Sequence, residues 1–137
     1  MRLRFLAALG WTILIGIACW TPRRVVEEVG EETGFLGIPH FDKIVHLGIF
    51  AVFAFLWLAA PRRPRYAAVA IAGLAFAVVT ELGQLIPGVN REAGVDDGVV
   101  DFVGILAGAV AFRYAAPWIA RKWDAATGTV ATEPEAA

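Results

Sequence analysis

The chain has 137 residues, which is enough for one domain and leaves little room for a second. Hydrophobic residues make up 58% and charged residues only 18% of it, against about 45–50% and about 25% in typical soluble domains. With 12 basic and 13 acidic residues the formal net charge is −1, which argues against a nucleic-acid partner. The single cysteine excludes an internal disulfide and a multi-cysteine zinc site. These figures favour a membrane protein over a disordered chain, a disulfide scaffold or a large soluble enzyme.

Four apolar segments predict an all-α fold, a four-helix transmembrane bundle. Each segment has a length within the ~17–25 residues with which a helix crosses the hydrocarbon of a bilayer. In chain order the predicted spans are Leu3–Trp20, Ile44–Ala60, Tyr66–Ile86 and Val99–Trp118. The segment Pro61–Arg65 can neither continue a helix nor lie in lipid, so it predicts a tight hairpin. We expect residues 1–126 to form one membrane domain and residues 127–137 to form a disordered tail.

The first apolar segment has a second interpretation as a secretory signal, because basic residues precede it and Cys19 stands where a lipoprotein signal would be cleaved. Gly16, however, occupies a position at which such sites have a larger aliphatic residue. Trp20 suits the interfacial end of a retained helix. We therefore predict a permanent span.

The distribution of basic residues predicts that both termini lie in the cytoplasm. The cytoplasmic side then has most of the basic residues, namely Arg2, Arg4, Arg62, Arg63, Arg65, Arg113, Arg121 and Lys122. The external side has only Arg23, Arg24, Lys43 and Arg91. This asymmetry follows the positive-inside rule.

Under this orientation, three polar clusters lie at the external ends of the predicted spans. The motif Asp42-Lys43-x-x-His46 begins the second span, and Glu81-x-x-Gln84 ends the third. The third cluster, on the following loop and the start of the fourth span, consists of Arg91, Asp96, Asp97 and Asp101. We predict that the three clusters meet in one polar site at the external face.

The start of the fourth span has a stripe of acidic and small residues on one helical face. At about 100° per residue, the stripe consists of Asp97, Asp101, Gly104 and Gly108. Because small residues let membrane helices approach closely, we expect this face to pack against protein.

Two kinds of electrostatic interaction are expected at the external face. Arginine binds carboxylates through its planar fork, so Arg91 is predicted to bridge Glu81 or Asp97. Asp97 and Asp42 are expected in the first turns of their helices, where a negative charge meets the positive end of the helix dipole.

These motifs, in this order, resemble those of the VanZ-like family of small bacterial membrane proteins. The resemblance runs from about Phe41 to Val110 and includes Pro87 after the Glu81 motif. It departs from the family at Asp101, where the family usually has Asn. The resemblance implies a multi-pass protein of the bacterial inner (plasma) membrane. The founding member is associated with resistance to the glycopeptide antibiotic teicoplanin, and the resemblance implies no particular reaction.

The leading functional hypothesis is a site that binds, or acts on, a cell-envelope component or an amphiphilic glycopeptide antibiotic. Lys43 and Arg91 would hold an anionic group such as a lipid-linked phosphate. His46 and Glu81 are the candidate catalytic residues for proton transfer, and whether a reaction occurs stays open. The remaining candidate ligand-binding residues are Asp42, Gln84, Asp97 and Asp101.

Two other functions stay open: a structural protein whose polar cluster is only a salt-bridge staple, and a small proton- or ion-coupled transporter. No cofactor is expected, because no compact metal motif occurs. A divalent metal is kept as an alternative, with the ligands drawn from His40, His46, Glu81, Asp97 and Asp101. The expected partners are membrane lipids and a lipid-linked envelope intermediate or a glycopeptide. A homo-oligomer stays open.

Overall fold

A computed structural model describes residues 2–33, 40–89 and 94–127, which form five α-helices and no strand. The helices are α1 (Arg2–Trp20), α2 (Arg23–Thr33), α3 (Phe41–Ala59), α4 (Tyr66–Gln84) and α5 (Val95–Thr127). Four of them are long and apolar enough to cross a membrane, namely α1, α3, α4 and the segment Val95–Lys122 of α5. The predicted all-α class with four spans is therefore confirmed.

Two of the helices begin earlier than hydrophobicity predicts. Helix α3 begins at Phe41, with Asp42 in its first turn. Helix α5 begins at Val95, with Asp96 and Asp97 in its first turn. These carboxylates meet the positive end of the helix dipole and favour helix beyond the apolar segment. The predicted positions of Asp42 and Asp97 are confirmed.

The C-terminal boundaries also differ from the predicted spans. Helix α4 ends at Gln84, two residues before the predicted end at Ile86. Helix α5 continues to Thr127 with Pro117 inside it, although the fourth span was expected to end at Trp118. The predicted tail beyond Thr127 lies outside the described residues.

Helix α2 lies in a segment that we interpreted only as a connection between two spans. Val25, Val26 and Val29 recur at helical spacing, and the Arg23 Nε donates to Glu27 Oε1 at 2.8 Å on an exposed face. Pro22 precedes the helix, where its missing N–H is not needed. Helix α2 is thus amphipathic and too short to span a bilayer.

The hydrogen bonds between helices define two ends of the bundle. At one end, which we call the acidic end, the Trp20 Nε1 donates to the Thr80 carbonyl at 3.3 Å, and Lys43 on α3 forms an ion pair with Asp96 on α5. At the opposite end, which we call the basic end, Arg4 Nη1 near the start of α1 donates to the carbonyl of Ala59 at the end of α3, at 3.4 Å. The acidic end therefore collects the C-termini of α1 and α4 and the N-termini of α3 and α5.

Helices α3 and α5 form the most extensive helix–helix contact of the bundle. Gly104 and Gly108 are buried, and a Cβ atom on either would overlap the carbonyl oxygens of Leu47 and Ala51, respectively. The two backbones therefore approach each other more closely than a side chain would permit. This confirms that the stripe of small residues packs against protein.

A buried apolar core occupies the middle of the bundle, formed by Ile15, Cys19, Phe50, Phe53, Ala54, Ala77 and Ile105. Two indole groups tie α1 to α3 beside it: Trp11 Nε1 donates to the Ile49 carbonyl at 2.9 Å, and Trp57 Nε1 donates to Thr12 Oγ1 at 3.0 Å. Pairing the indole N–H groups matters because lipid offers no hydrogen-bond partner.

We expect Gly108→Ala to destabilise the bundle, because the added methyl group would separate α3 from α5. Overpacking of this kind costs about 1–3 kcal/mol. The matched control is Gly48→Ala on α3, where a Cβ atom would meet nothing within 4 Å. Thermal unfolding of both variants in detergent, followed by tryptophan fluorescence, tests the expectation. Equal midpoints for the two variants would contradict it.

Candidate functional site

The centre of the candidate site is a buried pair between α3 and α5. His46 Nδ1 lies 2.9 Å from Asp101 Oδ1, where an ionised carboxylate accepts the N–H of the imidazole. The two residues are 5% and 0% exposed. The close approach of the helices places them together, since His46 precedes Leu47, whose carbonyl contacts Gly104 one turn after Asp101.

Helix α4 adds Glu81 to this pair. Glu81 Oε2 accepts a hydrogen bond of 3.0 Å from the backbone N–H of Gly94, directly before α5. One ligand atom each from His46, Glu81 and Asp101 lies within 4.8 Å of the other two. We call these three residues the polar cluster. Each of its members comes from a different helix, so its geometry depends on the packing of all three.

Several buried polar atoms at this site have no hydrogen-bond partner among the described residues. They are Glu81 Oε1, Asp101 Oδ2 and Gln84 Nε2. Gln84 is 2% exposed and lies one turn after Glu81 on α4. A buried polar atom without a partner costs about 1–3 kcal/mol. The described residues therefore leave two hydrogen-bond acceptors and one donor at this site unsatisfied.

The other predicted residues lie at the rim of the acidic end. Lys43 pairs with Asp96, a partner that sequence analysis did not assign to it. Asp42 is exposed on α3, and Asp97 is half-buried in the first turn of α5. Arg91 lies outside the described residues, so its predicted bridge to Glu81 or Asp97 stays a prediction.

The metal alternative can be narrowed by geometry. Among the residues that the structure describes, the group with metal-ligand spacing consists of the polar cluster alone. It leaves out Asp97 and His40, which sequence analysis had added as further ligands. His40 instead precedes α3 as an exposed residue with a left-handed backbone, at φ 57°.

A cavity of about 550 Å³ adjoins the polar cluster between α1, α2 and α3. Val25, Val26 and Val29 of α2 form one apolar wall, and His46 is part of the opposite wall. The four apolar segments do not predict this cavity, because they do not predict α2. The signal was present, since three valines at helical spacing follow a proline and alternate with glutamates on the other face.

A larger cavity of about 940 Å³ lies at the basic end between α1, α3 and α4. Its walls are apolar, and Arg2, Arg63 and Arg65 stand among its lining residues. It contains no member of the polar cluster. We place the candidate site at the smaller cavity, because His46 of the polar cluster lines that one.

The model of the VanZ/LLP1 family matches residues 6–119, a range that includes the polar cluster and all of α2. No curated protein and no solved structure shows significant similarity to the chain. Because the match covers most of the sequence, the chain belongs to the VanZ/LLP1 family, as the motifs between Phe41 and Val110 indicated.

We expect Asp101→Ala to destabilise the protein, because it leaves the His46 N–H buried without its acceptor. Removing one partner of a buried charged pair costs about 3–5 kcal/mol. Asp101→Asn keeps a carbonyl oxygen that can accept from the His46 N–H, so it should lose less stability than Asp101→Ala. Asp42→Ala, at an exposed position of the same end, is the control and should lose only the dipole interaction, at most about 1 kcal/mol. The hypothesis fails if all three variants unfold in detergent at the same temperature.

Proposed function

We propose that this VanZ/LLP1 family member binds an amphiphile, either a cell-envelope component or a glycopeptide antibiotic, at the external face of a bacterial plasma membrane. One observation carries the proposal: His46 belongs both to the polar cluster and to the wall of the apolar cavity. A ligand with a polar head and an apolar tail can contact both surfaces at once. Such sites are typically apolar with a few polar groups that fix orientation.

The chemistry of the cluster favours a head group that has both donors and acceptors. Gln84 Nε2 can donate a hydrogen bond, while Glu81 Oε1 and Asp101 Oδ2 can accept one. Sugars and peptides, from which envelope precursors and glycopeptides are built, offer both kinds of group. A hydrogen bond between the head group and a buried polar atom stabilises more than one in water, because the buried atom without a partner is costly.

Lys43 is the group that would accommodate an anionic part of the head. Its ammonium is paired with Asp96 near the surface, where the two side chains are 30% and 65% exposed. Partly exposed pairs of this kind are weak, so a phosphate could replace the aspartate. Arg91, from the predicted site, would act in the same way.

The orientation of the chain is part of the proposal. Positive-inside asymmetry favours a cytoplasmic basic end, because the hairpin after α3 contains Arg62, Arg63 and Arg65. Both termini then lie in the cytoplasm, and the acidic end faces outward. The site would be reached from the external leaflet.

The two other functions have less support. A pure salt-bridge staple would pair its polar atoms, whereas Asp101 Oδ2 and Gln84 Nε2 lack partners in the described part of the chain, and the predicted Arg91 bridge involves neither. A transporter needs a polar path. Towards the basic end, the cluster is followed by the apolar core around Phe50, Phe53 and Ile105. Binding is therefore favoured over both a staple and proton or ion transport.

Val26→Trp tests the apolar half of the site, because the indole would fill part of the cavity. We expect it to weaken binding of fluorescent teicoplanin to the protein in nanodiscs about tenfold, equivalent to about 1.4 kcal/mol. Val79→Trp, on the exposed face of α4, is the control and should bind like the wild type. Teicoplanin from which the acyl chain has been removed should bind Val26→Trp and wild type equally. Equal teicoplanin affinity for both tryptophan variants would exclude this cavity as the tail site.

Glu81→Gln tests the polar half of the site. Loss of the carboxylate removes an acceptor for the head, so we expect weaker binding of teicoplanin with and without its acyl chain. Cells that depend on the protein for teicoplanin resistance should become more susceptible. Glu28→Gln on the exposed face of α2 is the control. If Glu81→Gln inserts into the membrane normally and changes neither binding nor susceptibility, Glu81 has no role in recognition.

A further inference from the structure

The polar cluster has an excess of negative charge in a buried place. Glu81 and Asp101 supply two carboxylates, and His46 can supply at most one positive charge. Lys43, a basic residue at the rim of the same end, already pairs with Asp96. Uncompensated charge within a membrane-spanning bundle is costly, and such groups normally pair with an opposite charge. A bound cation would balance the excess negative charge of the polar cluster.

We propose that His46, Glu81 and Asp101 bind a divalent transition-metal ion, with Zn²⁺ as the preferred ion. The donor set is one imidazole nitrogen and two carboxylate oxygens, and zinc binds both kinds of ligand atom. Ca²⁺ and Mg²⁺ prefer sites made of oxygen alone, and an imidazole selects against them. Between Zn²⁺ and Mn²⁺, the general order of affinities favours zinc.

The distances permit this coordination with small side-chain movements. Ligand atoms about 2.0–2.1 Å from a tetrahedral zinc ion lie about 3.3 Å from one another. The three ligand atoms lie within 4.8 Å of one another, and His46 Nδ1 and Asp101 Oδ1 are 2.9 Å apart. Binding of the ion through Nδ1 would release the imidazole proton to the solvent. Rotation of the Glu81 carboxylate would supply the third ligand.

The unpaired oxygens are an independent observation that points to an ion. Asp101 is fully buried, yet its Oδ2 has no partner among the described residues, and the same holds for Glu81 Oε1. Both atoms are acceptors, so a cation satisfies them and a second acceptor does not. Gln84 Nε2, an unpaired donor one turn from Glu81, could donate to a water molecule on the ion.

The metal site goes beyond amphiphile binding and does not depend on it. Zinc held by three protein ligands keeps a fourth position for water or for a ligand oxygen. His46 also lines the cavity, so a phosphate or carbonyl oxygen of a molecule seated there is the class of ligand that the ion would attract.

The test measures zinc on the full chain in detergent. The protein is stripped with EDTA, exposed to Zn²⁺, dialysed against metal-free buffer and analysed by mass spectrometry for bound metal. We expect about one ion per chain for the wild type, and His46→Gln should bind at least about tenfold more weakly. The matched control is His40→Gln, which replaces the second of the two histidines and should keep the ion. A wild type that retains no zinc, or equal retention by the two variants, overturns the proposal.

A measurement on the wild type covers the case in which His46→Gln fails to fold. The X-ray absorption spectrum of the zinc-loaded protein should show one imidazole with oxygen ligands and no sulfur. A sulfur ligand would place the ion at Cys19, and two imidazoles would include His40; either result overturns the assignment. Val26→Trp separates the two proposals, because it should weaken teicoplanin binding and leave the zinc content unchanged.

Discussion

The close approach of α3 and α5 is the constraint on which the rest of the structure depends. Two glycines, Gly104 and Gly108, let the α5 backbone contact the carbonyl oxygens of α3. The same register fixes His46 and Asp101 opposite each other at hydrogen-bond distance. In a bilayer, apolar side chains gain little free energy when they move from lipid to a helix–helix contact. Tight backbone packing and buried hydrogen bonds therefore supply much of the specificity of helix association. The site is therefore built by the contact that holds the bundle together.

The third helix of the site is positioned by a second glycine contact. At Gly83 on α4, a Cβ atom would overlap the indole of Trp20, so the end of α1 packs directly on α4. The same indole donates to the Thr80 carbonyl. These contacts flank Glu81, whose carboxylate accepts from Gly94 and so ties α4 to the start of α5.

Much of the fold and site could be predicted from sequence, and the failures have physical causes. Hydrophobic length found the four spans, and helical spacing found the packing stripe at Gly104 and Gly108. Hydrophobic length did not identify α2, because a short amphipathic helix with many charges has no continuous apolar segment. The His46–Asp101 pair could not be predicted either. Spacing along one helix identifies a shared face, whereas a pair between helices depends on their register, which distant contacts set.

The identity of residue 101 decides what kind of site these contacts produce. An asparagine could accept from the His46 N–H through its oxygen and donate to the Glu81 carboxylate through its nitrogen, so the network would close on itself with one negative charge. An ionised aspartate can accept hydrogen bonds but cannot donate one. Asp101 Oδ2 is therefore left without a donor, and a second negative charge lies beside Glu81. The carboxylate therefore makes the site depend on something outside the three side chains, namely a proton, a cation or the polar head of a ligand. That dependence separates a binding site from a self-sufficient staple.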